Sequence, residues 1–571
     1  MPKMTFTKSV SNVDLLLLNL SQSMRTPAVA RGCLAIAFFV LSGASLCRGQ
    51  GTFTAASCNR SDVNSVINGP THTAVNGDTI IIPAGSCTWT SGITISGKGI
   101  DITGTGTPNT GGGTFGAGTA NTTITQNFTT SLFAFTNLTY GETAKVELLN
   151  LGANTGLGMN AIAPGPISFS GTCTSSGCPQ IRVDNINFVA NTWGNTAADG
   201  ELIAEDGMFG VIDHNTVNES PSDGTGPPLV DVSNSAWQGV GANGDNSFAT
   251  ADTFGTAQQL YIENNSTYGI RLSDNDVPAI GGGLGGARWT CRFNVILQLN
   301  GSGVCSAHGT GRDFRSRGQR QLEAYYNSIT ANYAANVGFG IASGTGYFFS
   351  NSYTAPSFNA SVAATSFRAP AVSDGLSPFF NCDGTEPWDQ SPWTTTTECM
   401  DQPGTGAGLL LENATPVLAS APSTPCSTAG QCWTQNAIDP IYEAGDTGST
   451  LNAGINPSDA TRLAGYYYGY VSKTAQTSAT SPFNGTTGTG YGTLARRPTT
   501  CTPTVGYWAT DTGTWNTYNS QQGTLYLCKT TNTWTASYTP YTYPHPLTTG
   551  GTVGTGDPPP SPPTNLEATV Q

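Results

Sequence analysis

A six-residue motif, apolar at both ends, recurs down the middle of the chain and restricts its fold more than any other feature. Copies begin at Val146, Val183, Ile212 and Ile262, with looser ones at Cys291, Ala324 and Phe348. Successive starts differ by 37, 29, 50, 29, 33 and 24 residues. A spacing with a floor in the twenties and irregular excess is what a coiled solenoid gives when loops of different length are inserted into its turns. Asn stands at the fourth position of most copies (Asn215, Asn265, Asn294, Asn327 and Asn351). There, side-chain amides can stack along an axis and bond one rung to the next. The pattern predicts an all-β protein wound as a right-handed parallel β-helix. A β-sandwich would bring its strands every 8–12 residues or so, and these hexamers are farther apart. Strand-like pieces at Thr79–Pro83, Ile93–Ser96, Ile100–Thr103 and Leu132–Phe135 fit the first rungs. Ser61–Asn68 reads as a short helix capping the exposed apolar end.

Composition narrows the function classes. Charged residues are only 10% of the 571, against roughly 25% in an ordinary soluble domain, so the chain is polar without being charged. That disfavours helical bundles, whose surfaces rely on Glu, Lys and Arg. The 71 Gly residues follow no three-residue period, which excludes collagen. Without the first 49 residues, 17 Lys+Arg face 35 Asp+Glu, a balance of −18. Such a charge excludes nonspecific nucleic-acid binding and adhesion to anionic membranes.

Arg25 and Arg31 precede an apolar run from Cys33 to Leu46, 14 residues long. That length suits a signal peptide and is short for a bilayer span. Cleavage is predicted near Gly49–Gln50, with Met24 as an alternative start, and no transmembrane segment is expected in the mature chain. The expected location is secreted or on the cell surface. Twelve Cys then remain, and an even count in an exported chain reads as disulfides. Sequential pairing gives Cys58–Cys87, Cys173–Cys178, Cys291–Cys305, Cys382–Cys399, Cys426–Cys432 and Cys501–Cys528. A metal reading is weaker, because the chain has no CxxC and only four His.

The expected organisation is a leader over 1–49, the β-helix over 50–355, a disulfide-containing continuation over 356–492, a Trp/Tyr-rich β module over 493–548 and a Gly/Pro-rich tail over 549–571. Asn-bearing rungs behind a signal peptide resemble the pectate-lyase-like superfamily of right-handed β-helices, over residues 75 to about 355. Gly77–Gly85 looks like the opening strand of such proteins. Cys382-Asp-Gly, Trp388-Asp-Gln, Cys399–Gly404 and Tyr541–Leu547 resemble an uncharacterised exported bacterial branch. The superfamily includes lyases and hydrolases of polysaccharides as well as adhesins and tailspikes, so the resemblance implies the fold and an extracellular polysaccharide partner without fixing an activity.

The most unusual local feature is the stretch from His308 to Glu323, in which Arg312, Arg315, Arg317 and Arg320 fall within nine residues. Arg forks suit carboxylates. Neutralising the carboxylate of a uronic acid acidifies the neighbouring C–H, and a base, His308 or one of the Arg residues, can then remove the proton for β-elimination. In superfamily lyases the base is typically Arg or Lys. The bland reading pairs Arg320 with Glu323 and leaves the rest as a solvated loop. Glu323, Asp213, His214 and Arg292 are candidate substrate-binding groups. His214 beside Asp213 also reads as a satisfied structural histidine. Glu201, Glu205, Asp206, Asp213 and Glu263 read either as paired carboxylates for glycoside hydrolysis or as exposed turn acids. Asp274 and Asp276 offer two oxygen ligands to Ca²⁺, without a full calcium-loop pattern; no cofactor is otherwise called for. Trp388, Trp393, Trp433, Trp508, Trp515 and Trp534 are either sugar-stacking platforms or buried beneath loops. A polysaccharide lyase is thus the leading expectation. A non-catalytic glycan-binding or structural β-helix and a carboxylate-based glycoside hydrolase are the alternatives.

Overall fold

The computed structural model describes residues 50–154, 164–189, 201–218, 228–235, 237, 245–270, 281–299, 304–307, 318–331, 335–341, 343–354, 358–364, 403–412, 415–416, 432–448, 467–468 and 482–549. Residues Gly51–Gln571 form one compact unit. Three parallel sheets run along it. Sheet I has twelve strands, from Thr52–Thr54 through Thr143–Glu147, Gln180–Asp184, Phe209–Asp213, Leu260–Glu263, Arg288–Arg292, Gln321–Tyr325 and Thr345–Phe349 to Ile441–Ala444 and Tyr467–Tyr468. Sheet II runs over nine strands from Gly85–Trp89 to Ser352–Thr354, and sheet III over nine from Ile93–Ser96 to Phe358–Ala364. The chain visits I, II and III in turn, then returns to I beside its previous strand. This is the parallel β-helix that the repeat predicts.

The hexamers are in register. Val146 pairs with Val183, then Ile212, Ile262, Cys291, Ala324 and Phe348 in succession. Each motif contains the corner between sheets I and II. Its first residue points into the core. Its third takes the left-handed backbone conformation that turns the chain: Leu148, Asn185, His214, Asn264, Phe293, Tyr326 and Ser350 all have φ between 51° and 59°. Non-glycine residues rarely adopt this conformation, so its repetition marks one corner built seven times over. Its fourth residue then turns inward. From Asn215 onward the amides form a ladder, Asn215 Nδ2 donating to Asn265 Oδ1 at 2.9 Å, Asn265 to Asn294 at 3.0 Å, Asn294 to Asn327 at 3.0 Å and Asn327 to Asn351 at 3.0 Å. Asp446 receives the last donation at 3.2 Å. A carboxylate suits that end, because the last rung of the ladder has to accept.

The apolar interior runs unbroken from Val63 and Ile67 to Phe348 and Ile441. Helix Arg60–Ile67 buries Val63, Val66 and Ile67 and closes the first rungs, close to the expected cap. Disulfides Cys58–Cys87, Cys173–Cys178, Cys291–Cys305 and Cys501–Cys528 are formed as the sequential pairing predicts. Cys291–Cys305 crosses the core from sheet I to sheet III. The pairings Cys382–Cys399 and Cys426–Cys432 lie outside the described residues. A four-stranded sheet over Thr489–Gly492, Gly506–Ala509, Thr524–Thr530 and Thr533–Tyr538 occupies the Trp/Tyr-rich region. Among the described residues no helix is long and apolar enough to cross a membrane.

Candidate functional site

Side chains alternate across a strand, so the second position of every hexamer stands on the outer face of sheet I. The resulting column reads Glu147, Asp184, Asp213, Glu263, Arg292, Tyr325 and Phe349. Four consecutive carboxylates about 4.8 Å apart repel one another, and cations are placed to hold them. Arg182 reaches Asp213 at 3.0 Å, Asp184 at 3.1 Å and Glu147 at 3.6 Å. His214 Nδ1 lies 2.7 Å from the same Asp213, and Arg292 is 2.6 Å from Glu263. Burial alone would raise Asp213, but Arg182 and His214 outweigh it and hold the group below the usual carboxylate range. Asp184 goes the other way: burial, then the charges of Asp213 and Glu147, push it well up. Burial and the Glu147 charge likewise raise Asp101 to about 7.

The far half of this face is roofed by the chain's own C-terminal segment. Arg292 donates to the Tyr541 and Thr542 carbonyls at 2.7 and 2.8 Å. The His545 N–H donates to Glu263 at 2.8 Å, and the Tyr538 hydroxyl donates to Glu323. Glu323 also accepts from Gly255 N–H at 2.7 Å and from Gln259 at 2.6 Å. Burial raises Glu323 against these donors, and burial and Arg292 push His545 down to about 3, so that histidine is neutral. Arg292 and Glu323 therefore anchor a wall, and no polymer reaches them.

These facts correct two expectations. Asp213, Glu263 and Glu205 are not exposed turn acids: all three are buried. Glu205 takes a core-facing position, where its carboxylate accepts the Met208 and Ser233 N–H groups and fixes the following turn. Arg320 does not pair with Glu323. It is 1% exposed, lies 3.5 Å from Asp439 and helps close the corner leading into Gln321–Tyr325. His214 is a satisfied structural histidine: Asp213 holds Nδ1, and Nε2 lies 3.0 Å from the Gly111 carbonyl. Trp508 and Trp515 are buried rather than open platforms. His308, Arg312, Arg315, Arg317, Asp274 and Asp276 lie outside the described residues, as do Trp388 and Trp393.

The outer face of sheet III is open. A groove of about 790 Å³ runs over strands Ile93–Ser96, Phe133–Thr139, Ile167–Thr172, Ile203–Asp206 and Val230–Ser233. Five parallel strands span about 19 Å. The floor is built of short side chains, Thr94, Ala134, Thr136, Ser168, Ser170 and Ala204, because alternation sends Ile93, Ile95, Phe133, Phe135 and Ile167 into the core. Its charged residues are all acids: Glu201, Asp206 and Asp231 beside the core-facing Glu205. Ser235 donates its N–H to Asp206 at 2.9 Å, which fixes that carboxylate. Ala204 pairs with Asp231, so Asp206 and Asp231 lie diagonally on neighbouring strands, about 8 Å apart at Cα. The sequence reading placed Glu201 and Asp206 together but missed Asp231 and the hydroxyl floor. The clue was the strand Val230–Ser233, whose apolar alternation puts Asp231 outside.

The carboxylates near residue 201 and those near 213 and 263 therefore do not share one site: the first belong to sheet III and the second to sheet I. Among the described residues no group of three or more His, Cys, Asp or Glu is placed to hold a metal ion.

No protein-family model matches the chain, and no curated protein matches it. Among solved structures, the alginate lyase from Paenibacillus sp. str. FPU-7 is similar over 55% of this chain and 99% of that one, at 16% identity and a TM-score of 0.28.

Proposed function

We propose that this protein is an exported polysaccharide-active enzyme that seats an extended sugar chain in the groove over sheet III. One observation carries the reading: an open trough about 19 Å long, floored by hydroxyls and small side chains, with Asp206 and Asp231 at one end. A flat hydroxyl-bearing floor suits a linear polymer, which offers hydroxyls along its whole length. Two carboxyls roughly 6.5–9.5 Å apart leave room for a water opposite the leaving group, and Asp206 and Asp231, on one face of neighbouring strands with their Cα atoms about 8 Å apart, are the pair we assign to that arrangement. One carboxyl protonates the glycosidic oxygen while the other activates the water, which favours hydrolysis with inversion. The acidic lining favours a neutral or amino-bearing polymer over a polyuronate. The four disulfides among the described residues fit an oxidising, extracellular compartment.

β-Elimination is the second reading, and one observation favours it. The segment with His308, Arg312, Arg315 and Arg317 connects Cys305–Ala307, a strand of sheet III, to Gln321–Tyr325. The segment with Asp274 and Asp276 enters the same sheet at Gly281. The chemistry of these residue types is neutralisation of a uronate by guanidinium and removal of its C–H proton by a base.

The test is one panel with two readouts. The purified protein is incubated with β-glucan, chitosan, polygalacturonate and alginate, with and without Ca²⁺, and both reducing ends and the ultraviolet absorbance of unsaturated products are followed. Hydrolysis gives reducing ends without unsaturation, and Asp206→Asn or Asp231→Asn each lowers the rate at least about 100-fold. Unsaturated products would replace hydrolysis by the lyase reading, and no turnover on any polymer would overturn both.

A further inference from the structure

Among the described residues few aromatic rings are exposed, and the two most exposed belong to one hairpin and the segment packed on it: Phe115 is 45% exposed and Tyr518 is 52% exposed. Phe115 stands near the tip of a hairpin whose legs are Gly106–Thr107 and Thr119–Ala120. That hairpin lies along the corner between sheets I and II. The Asn109 and Gly118 N–H groups donate to Asn185 Oδ1 at 2.7 and 2.9 Å. The Gly116 N–H donates to the Asn264 carbonyl at 2.9 Å, and His214 holds Gly111. The Gly113 N–H donates to the Tyr543 hydroxyl at 2.9 Å, which ties the tip to the C-terminal segment.

Tyr518 comes from that segment and lies on Gly112 and Gly113. A Cβ on Gly113 would fall 2.2 Å from its ring, and one on Gly112 would fall 2.9 Å from it. Only glycine backbone permits this approach. The half-exposed ring thus rests against this main chain, and Phe115 follows two residues after Gly113. Neither residues 109–118 nor residues 514–523 contain Asp, Glu, Lys or Arg. Asn519 and Gln521, close to Tyr518 in sequence, are exposed; Asn519 Nδ2 donates to Gln521 Oε1 at 3.0 Å, and the Gln521 Nε2 amide is the donor on offer to a ligand.

We propose that Phe115 and Tyr518 form a second carbohydrate-binding surface, separate from the groove over sheet III, on which the pyranose rings of a polysaccharide stack. The inference rests on the polysaccharide reading above and extends it. Rigid aromatic faces meet the apolar C–H faces of sugars, and neutral amides bond their hydroxyls. A protein partner would be expected to find apolar area and complementary charge, and this patch has two rings among glycines and amides. The surface holds the polymer at the corner between sheets I and II, and it does so independently of the groove over sheet III.

The test is affinity electrophoresis and calorimetry on the full chain with the four polymers named above. Each of Phe115→Ala and Tyr518→Ala weakens binding of the preferred polymer about ten-fold, the double variant weakens it further, and Tyr518→Trp restores it. Both side chains are exposed, so circular dichroism and melting are expected to match wild type; a variant that melts early is replaced by Tyr518→Ser and Phe115→Ser. A double variant that binds every polymer as wild type does overturns this inference alone, provided that Asp206→Asn still abolishes turnover. A wild-type protein that neither binds nor cleaves any of the polymers overturns the inference together with the proposed function.

Discussion

Replacing Asn294 by Ala isolates what the internal amide ladder contributes. Asn294 Oδ1 accepts the Asn265 N–H at 3.1 Å and Asn265 Nδ2 at 3.0 Å, and its own Nδ2 donates to the Ile262 carbonyl at 2.9 Å and to Asn327 Oδ1 at 3.0 Å. Asn265 Nδ2 keeps the Ile212 carbonyl, and Asn327 Oδ1 keeps the Asn294 N–H. One group is left bare in a core that excludes water, the Asn265 N–H; the Ile262 C=O loses its side-chain donor but belongs to strand Leu260–Glu263, which is paired on both sides. An orphaned buried polar group costs about 1–3 kcal/mol, and the substitution costs about that much. A solenoid can open rung by rung, and a global transition can under-report a local loss. The assay is therefore denaturant unfolding with disulfides intact, paired with hydrogen exchange at the Asn265 amide. Asn294→Asp is the informative companion. It still accepts, but as a carboxylate it cannot donate, and at pH 7 it faces Asn327 Oδ1 with like polarity, so it is at least as costly as Ala. Asp446→Asn at the accepting end is close to neutral, since an amide oxygen can take over its acceptance from Asn351. If Asn294→Ala unfolds within about 0.5 kcal/mol of wild type and the Asn265 amide stays protected, the ladder is a consequence of the winding and not a support for it.

Two further outcomes follow from charges on sheet I. Tyr538→Phe removes a buried donor to Glu323 at a cost of about 1.5–3 kcal/mol; limited proteolysis should then cut the 482–549 segment sooner, and an unchanged digestion pattern would count against its role as an anchor. Asp101, raised to about 7 by burial and Glu147, keeps its proton from about pH 4 to 7, where the unfolded chain has lost it. Stability therefore falls as pH rises through that window. Asp101→Asn should melt higher than wild type at pH 8 and alike at pH 4, and a wild-type slope in the variant would show that another group carries the dependence.

Much of the winding is legible before any coordinates. The hexamer starts fall in one register because an apolar first residue and an inward fourth residue leave no freedom to slip. The three disulfides Cys58–Cys87, Cys173–Cys178 and Cys291–Cys305 follow from the same winding, since consecutive cysteines are brought together by a local coil. The second position of the motif was equally visible, yet its meaning was not. Glu147, Asp184, Asp213 and Glu263 look like solvated acids until Arg182 and the C-terminal segment are placed over them. That segment lies some 280 residues from Glu263 in sequence, and no periodicity links the two. Arg320 misled for a related reason: a cluster in sequence suggests a shared site, but this side chain turns inward to Asp439 at a corner that only the fold defines. The groove was hidden because small hydroxyl residues give no signal of their own; they matter only once alternation sets them side by side across five strands.

The scarcity of charge explains where recognition can occur. Arg182, Arg288, Arg292 and Arg320 are all at most 7% exposed. They sit in a chain with 22 Lys and Arg in all. Each is tied to carboxylates or carbonyls of the fold: Arg288, for example, donates to the Ser247 and Ala251 carbonyls at 2.6 and 2.9 Å and lies 4.3 Å from the ring of Trp237. Burial and the neighbouring Arg320 lower its basicity, yet these donations satisfy it without a counter-ion. Guanidinium groups so placed hold loops and the C-terminal wall onto sheet I, and removing the wall would strip Glu263 of the His545 N–H and Glu323 of the Tyr538 hydroxyl, a cost of about 1–3 kcal/mol for each lost donor. The far half of sheet I is thereby closed, and recognition falls to the faces that stay open. Sheet III offers hydroxyls and acids, and the Phe115–Tyr518 corner offers uncharged aromatic faces. Both surfaces suit a ligand recognised by hydroxyls and apolar ring faces rather than by charge, and among extracellular polymers that description fits a polysaccharide.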